Sequence, residues 1–362
     1  MSVILFLAIL FILVLVHELG HFVVAKWTGM KVEEFGIGFP PKLFGIRKGE
    51  TEYTLNALPI GGFVKIVGEN LESIEGEDSG RSFANKNKWA QSAVLIAGVT
   101  MNVLLAFVLF ASIYMAGVPT AVSEDEASRG AELVVTEVVT GSPAETVGLI
   151  PGARVISLET DSSRAAELTP SSFADFIAVN EGETFLLTYE IGEEENKIEV
   201  TPEVGVLGSE EERPAIGVGL SLVEHQSLGF FEALIRAGET TAGALVAIVV
   251  GVSALIADAF TLSADLSQVA GPVGIVGLVD DAATIGLISL LSFTAFISLN
   301  LAVINLLPVP ALDGGRLLFV LIEAIIRRPI NPAWMGRVNF IGFALLILLM
   351  IAVTFSDITK LI

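Results

Sequence analysis

Apolar positions along this chain fall into long, nearly unbroken runs, separated by two polar stretches of different character. A helix needs about 20 mostly apolar residues to cross a bilayer. Residues 3–25, 93–118 and 285–309 meet that length, and 340–355 is a shorter run that Asn339 and its neighbours can extend. Residues 240–257 form a fifth apolar run with no charged residue. The first run has no basic segment ahead of it and no small-residue cleavage site, so it reads as a retained spanning helix and not a signal peptide.

The first polar stretch, 26–88, is rich in Gly and Pro and basic in character (Lys26, Lys31, Lys42, Arg47, Lys48, Lys65, Arg81, Lys86, Lys88). Within it 51–57 and 62–67 read as strands joined by a turn at Leu58-Pro59-Ile60-Gly61. The second stretch reads as a small mixed domain over 131–204. It has strands at 133–140, 153–158, 184–191 and 197–201, a short helix after Ser142-Pro143, and a second helix at 171–179. No internal repeat is evident.

Charge sets the orientation. Basic residues near helix ends favour the cytoplasmic side. They mark 26–88 and, through Arg316, Arg327, Arg328 and Arg337, the connection between the third and fourth spanning helices. Residues 118–227 carry 22 Asp and Glu against 5 Lys and Arg, most of the chain's net −21, and belong on the other side. Both termini then lie outside. Parity requires that 240–257 stay out of the count, because a further crossing would deliver Asp313 to the wrong face. The predicted architecture is a mainly α membrane protein with four spanning helices, divided as 1–118, 119–227, 228–284 (a peripheral or re-entrant membrane segment) and 285–362. The 362 residues are 53% hydrophobic with mean hydropathy +0.74, as expected for a polytopic protein with a soluble insert. An acidic insert argues against nucleic-acid binding, and the absence of cysteine excludes disulfides and thiolate metal sites.

The chemistry concentrates at His17-Glu18-Leu19-Gly20-His21. Residues four apart share a helix face, so both imidazoles can reach one metal, with Glu18 beside them to accept a proton from an attacking water. Zinc suits this role because it lowers the pKa of a water it holds to about 7. Two histidines and a glutamate inside an apolar spanning run are costly unless they serve a function. A catalytic zinc site takes three protein ligands, and the candidate third is Asp313 in Asn305-Leu306-Leu307-Pro308-Val309-Pro310-Ala311-Leu312-Asp313-Gly314-Gly315. Asp is also a favoured N-cap, and a helix starting near Gly314 would use it as one. The residues alone leave these two roles open.

These motifs resemble the site-2 protease family, and within it the bacterial regulator of sigma-E protease type. The resemblance runs over nearly the whole chain. It includes Phe35-Gly36-Ile37-Gly38-Phe39 and Pro59-Ile60-Gly61-Gly62-Phe63-Val64-Lys65 in a membrane-associated β-loop, Ala97-Gly98-Val99-Thr100-Met101-Asn102 in the second helix, and Ala270-Gly271-Pro272-Val273-Gly274-Ile275 ahead of the third. It departs at Val99, where the family pattern has Pro, and in having room for one PDZ-like domain where the branch often has two.

The resemblance implies an intramembrane zinc metalloprotease in the bacterial inner membrane. Its Zn2+ would be held by His17, His21 and Asp313, Glu18 would act as general base and then acid, and the PDZ-like domain would lie outside. The substrates implied are membrane-spanning proteins, single-span and already trimmed. Asn300 and Asn305 would contact them near the scissile bond, or hydrogen-bond between helices, and Asn102 is expected to be structural. Gly62 and Phe63 lie in the β-loop, whose edge would take an extended substrate as an added strand or simply plug the chamber. The PDZ-like domain would bind a peptide or act as a steric cover. A non-catalytic peptide-binding receptor or adaptor is the competing class, and an intact HELGH with its glutamate argues against it.

Overall fold

The computed structural model describes residues 2–69, 78–125, 127–128, 130–160, 162–192, 194–205, 213–261 and 270–361, and the chain divides into two compact units. The first unit comprises Met1–Ala111, Leu234–Asp281 and Leu290–Ile362; the second comprises Ser112–Ala233 and Ala282–Ser289.

In the first unit, α1 (Ser2–Trp27) carries the HELGH motif and is followed by β1 (Val32–Lys48) and β2 (Thr51–Ile66). The chain reverses direction between residues 56 and 62, where the turn at 58–61 is expected, although β2 is continuous as an element. Both halves of β2 pair with β1. Val32–Ile37 has partners from Ile66 back to Gly62, Glu34–Ile37 also has partners from Glu52 to Leu55, and Lys42–Lys48 faces Asn56 back to Thr51. A further turn falls at 49–50, where Gly49 adopts φ +66. The sheet packs on α1 through Phe22, Phe35 and Tyr53, whose rings lie 5.1–6.2 Å apart edge-on or tilted.

The helix α2 (Lys88–Ala116) approaches α1 closely at Gly20, where a Cβ would overlap the Ala97 carbonyl and the Met101 side chain. The second unit begins at the end of α2. Its six-stranded sheet has the order β3-β10-β4-β5-β6-β7: β3 (Val118–Val122), β4 (Glu132–Val138), β5 (Arg154–Glu159), β6 (Phe185–Ile191), β7 (Glu194–Val200) and β10 (Val218–Gln226). Two short strands, β8 (Glu203–Val204) and β9 (Pro214–Ala215), pair separately.

The helix α3 (Pro143–Thr146) is capped by Ser142, whose hydroxyl accepts from Glu145 N, with Pro143 in its first turn as the sequence pattern predicts. The helix α4 (Pro170–Val179) carries a capping box at Thr169 and Ser172, and Phe173, Phe176 and Ile177 enter the core against Phe185 and Leu187.

Five further helices follow, most of their residues in the first unit: α5 (Phe230–Phe260), α6 (Pro272–Ile285), α7 (Leu287–Leu306), α8 (Asp313–Ile326) and α9 (Pro332–Leu361). By length and composition five described helices, one more than the four expected spans, could cross a membrane: Ser2–Trp27, Lys88–Ala116, Phe230–Asp258, Leu287–Leu306 and Pro332–Lys360. The extra one is α5. The shorter α8 is the helix expected near Gly314, whereas α6 lies in the segment read only as peripheral or re-entrant. The N-terminus of α6 is capped from a distance. Asp357 on α9 accepts from Gly271 N at 3.1 Å and Gly274 N at 2.9 Å, and a Cβ on Gly271 would lie 2.6 Å from Asp357 Oδ2.

Candidate metal centre

One turn of α1 places His17 and His21 on the buried face, and the break after α7 swings Asp313 onto them. The chain turns back so tightly between α7 and α8 that a Cβ on Gly314 would overlap the Leu306 and Leu307 carbonyls, and one on Gly315 the Val309 carbonyl. Ala311 takes φ +77 in this turn. Asp313 is the first residue of α8, but the N-cap is Leu312 and no side chain caps the helix. The carboxylate faces α1 instead. Its Oδ2 lies 2.9 Å from His17 Nε2 and 3.3 Å from His21 Nε2, and the two Nε2 atoms are 3.1 Å apart. The competing reading of Asp313, as the cap of its own helix, is therefore not what the geometry supports.

The residues fit a metal on three counts. Their ligand atoms lie within 4.8 Å of one another, and two imidazoles with one carboxylate is a donor set that suits zinc. The space beside them is kept by Gly98 of α2, where a Cβ would sit 2.5 Å from His21 Nε2 and 2.7 Å from His17 Nε2. This gives the second-helix motif a physical role, and Val99 in place of Pro leaves α2 an unbroken helix. Finally, the adjoining cavity of about 80 Å³ is lined by Glu18, Glu69 and Asp313 against one guanidinium, Arg316, which pairs with Glu69. That leaves the carboxylates of Glu18 and Asp313 with no Lys or Arg partner among the described residues, a charge that a divalent cation would balance.

The groups behind the imidazoles orient them. His21 Nδ1–H donates to the Val94 carbonyl at 2.7 Å, which leaves Nε2 as the lone-pair nitrogen. His17 Nδ1 lies 3.3 Å from the side-chain amide of Asn102, which is fully buried and whose Oδ1 has no hydrogen-bond partner among the described residues. For His17 to present a lone pair at Nε2, Nδ1 must carry the proton and the amide must present its oxygen. Turning the Asn102 amide satisfies both groups at once. Ser298 of α7 donates to the Asn102 backbone carbonyl at 2.8 Å, tying α7 to this point.

Glu18 lines the same cavity as His21 and Asp313, and Val64 N–H donates to its carboxylate. The strand segment Gly62–Ile66 therefore runs beside Glu18, and Gly62 would place a Cβ 3.8 Å from Glu18 Cγ. The Phe63 ring stacks on Phe39 at 6.3 Å. Asn300 and Asn305 are not brought to this cavity: Asn300 donates back to Phe296 O within its own helix at 2.9 Å, and Asn305 makes no hydrogen bond among the described residues. Arg316, three residues beyond Asp313, was read from sequence only as an orientation signal. It also donates to the Glu69 backbone carbonyl at 2.7 Å, joining the end of β2 to α8.

A helical bundle long and apolar enough for a bilayer, with an HExxH helix and a converging carboxylate, defines a membrane metallopeptidase. The model of peptidase family M50 matches residues 5–349, and the chain belongs to that family. It is 35% identical over 348 residues to a Clostridium acetobutylicum protein that carries a zinc metalloprotease name, covering 96% of this chain and 94% of the relative. The regulator of sigma-W protease RasP of Bacillus subtilis is 31% identical over 99% of both chains, and the zinc metalloprotease RasP of Bacillus licheniformis matches to the same extent. This chain is accordingly an intramembrane zinc metalloprotease of the site-2 protease type.

Proposed function

We propose that the chain cuts single-span, already trimmed membrane proteins, with zinc held by His17, His21 and Asp313 and with Glu18 as the acid–base group. The observation that carries this reading is the Asp313 carboxylate facing both imidazoles at 2.9 and 3.3 Å instead of capping its own helix. When bound, the metal polarises the scissile carbonyl and acidifies a water. Glu18 takes a proton from the water whose oxygen attacks the carbonyl carbon. It then returns a proton to the amine nitrogen as the C–N bond breaks. The edge of Gly62–Ile66 beside Glu18 supports the uptake of an unwound substrate as an added strand, which exposes the peptide bond that a helix hides. The test is cleavage of a single-span stub in reconstituted vesicles. Glu18→Gln should lose at least about 10²-fold in rate while retaining zinc; a variant that still cuts at the parent rate refutes the role of Glu18.

In this proposal four helices span and α5 does not. Two observations support it. Lys88 at the start of α2 and Pro332 at the start of α9 line one pocket, so these helices enter from the same side. Gly238 near the start of α5 faces Phe107 toward the end of α2, and Gly271 meets Asp357 toward the end of α9, so both flanks of the segment lie at the far ends of those helices. Cysteines at Glu239 and Asp258 should both react with an impermeant reagent from outside; labelling of one alone refutes the count.

The sheet unit is the PDZ-like domain of this reading, placed outside a bacterial inner membrane as a steric filter. Replacing residues 131–204 by a short linker should make an untrimmed substrate cleavable and leave the trimmed one cut as before. Loss of trimmed-substrate cleavage in a zinc-retaining variant would mean that the domain recruits substrate.

A further inference from the structure

A second polar pocket lies away from the metal group, at the starts of α2 and α9. It encloses about 1060 Å³, and its lining includes Lys88, Glu323, Arg327, Arg328 and Asn331. Glu323 is buried, and its charge is already consumed: one oxygen takes Lys88 Nζ at 2.5 Å and the other takes Ile330 N at 2.8 Å. Arg327 and Arg328 differ. Both are exposed, and neither guanidinium makes an ion pair or hydrogen bond among the described residues. Arg327 is fixed at the end of α8 in a left-handed conformation (φ 59), its N–H bonded to the Glu323 carbonyl. This directs two adjacent guanidinium groups to the rim of one pocket, a pairing suited to bidentate recognition of phosphate.

The pocket also lies at a definite depth. The chain's three tryptophans all stand at ends of candidate spanning helices: Trp27 closes α1, Trp89 is the second residue of α2, and Trp334 is the third of α9. They are 86%, 87% and 54% exposed. The end of α1 lies by the start of α2, since a Cβ on Gly29 would be 3.5 Å from Lys86 Nζ. Exposed tryptophans at helix ends mark the membrane–water interface, so the pocket opens at headgroup level. Ala324, Pro329 and Ile330 also line the pocket, an apolar surface suited to the glycerol and upper acyl region of a lipid.

We propose that this pocket binds the phosphate-bearing headgroup of an anionic phospholipid, through Arg327 and Arg328 with Asn331 at the rim. Unpaired cations in a pocket between membrane helices attract such headgroups. A soluble phosphate would meet the same guanidinium groups but gain nothing from the apolar surface and the tryptophan belt.

The test uses the full chain, purified with its zinc in a neutral detergent. Short-chain phosphatidylglycerol, short-chain phosphatidylcholine and glycerol 3-phosphate are titrated separately, and binding is read by native mass spectrometry. Phosphatidylglycerol should bind at least about tenfold tighter than either of the others. Arg328→Gln should weaken it about fivefold and the Arg327→Gln, Arg328→Gln pair by more than about tenfold. Lys48→Gln removes an exposed cation outside the pocket and should change nothing. Zinc content checks that each variant is folded, and if the pair is not, Arg328→Gln alone decides. Equal affinity for the two lipids, glycerol 3-phosphate binding as tightly as phosphatidylglycerol, or a folded arginine variant with unchanged affinity would each overturn the proposal.

Discussion

Asp357 and Asp313 both stand within helices of the membrane unit, and they are used in opposite ways. Asp357 lies in the last turns of α9, far in sequence from the helix it serves, and its carboxylate caps α6 through the Gly271 and Gly274 N–H groups. Asp313 stands at the first position of α8, where capping would cost it nothing, and does not cap. Its carboxylate turns to two imidazoles on another helix. A buried carboxylate satisfied by backbone donors is accounted for by the fold alone. One that forgoes its own helix and faces two imidazoles is placed to share a cation with them.

The largest expected effect separates the two directly. Asp313→Ala should lose bound zinc and, with it, activity, while Asp357→Ala should retain zinc at the parent stoichiometry. If Asp313→Ala keeps its metal, the comparison collapses, because both aspartates would then be structural.

Asn102 sharpens the same contrast from the imidazole side. Asn102→Leu removes the acceptor behind His17 Nδ1–H and should weaken zinc binding about 10- to 100-fold in chelator competition. Asn102→Asp keeps an acceptor and should restore most of that affinity. A structural role alone would lower stability in both variants without this split.

For Asp357, the expected cost of removal is stability. Two backbone donors lose their partner, about 1–3 kcal/mol, read as a lower unfolding midpoint in detergent. Gly271→Ala should act in the same direction, since its Cβ would lie 2.6 Å from the carboxylate and 2.8 Å from Val353. An unchanged midpoint in both would remove the capping role.

The smallest effect lies at the β1–β2 turn. Arg81 and Lys26 hydrogen-bond Glu50 and hold its carboxyl down to about 2. A carboxylate depressed in the folded state stabilises it fully above its unfolded pKa, about 4.3, and that stabilisation is lost as pH falls through about 2. The pair is partly exposed and screened, so its worth is about 1 kcal/mol or less. The midpoint difference between the parent and Glu50→Gln should therefore be present at pH 6 and shrink between about pH 4 and pH 2. A difference that grows on acidification contradicts the sign.

Much of this was legible in the sequence because the signals were local. The four-residue spacing of His17 and His21 needs only a helix, and α1 supplies it. Ser142-Pro143 marked α3, and the alternation around residues 133–140 marked β4. What escaped was set by partners distant in sequence. The reversal expected at Leu58–Gly61 is present, but the two halves of β2 do not pair with each other as a hairpin; they flank the same stretch of β1, which lies between them. The start of α6 depends on Asp357, 83 residues beyond Gly274. Asp313 as ligand or cap was undecidable from a motif in which either use fits; the fold supports one by bringing α1 to it. Asn300 and Asn305 looked alike as polar residues in an apolar run, but hydropathy does not say which way a helix face points, and neither reaches the cavity.

The central claim is that one metal is shared by α1 and α8, and zinc K-edge absorption on the purified chain tests it most directly. The parent should give a first shell of nitrogen and oxygen with two imidazoles, His17→Ala should lose one of them, and Glu18→Gln should leave the shell intact. A parent spectrum with fewer than two imidazoles, or one that His17→Ala leaves unaltered, would contradict the account.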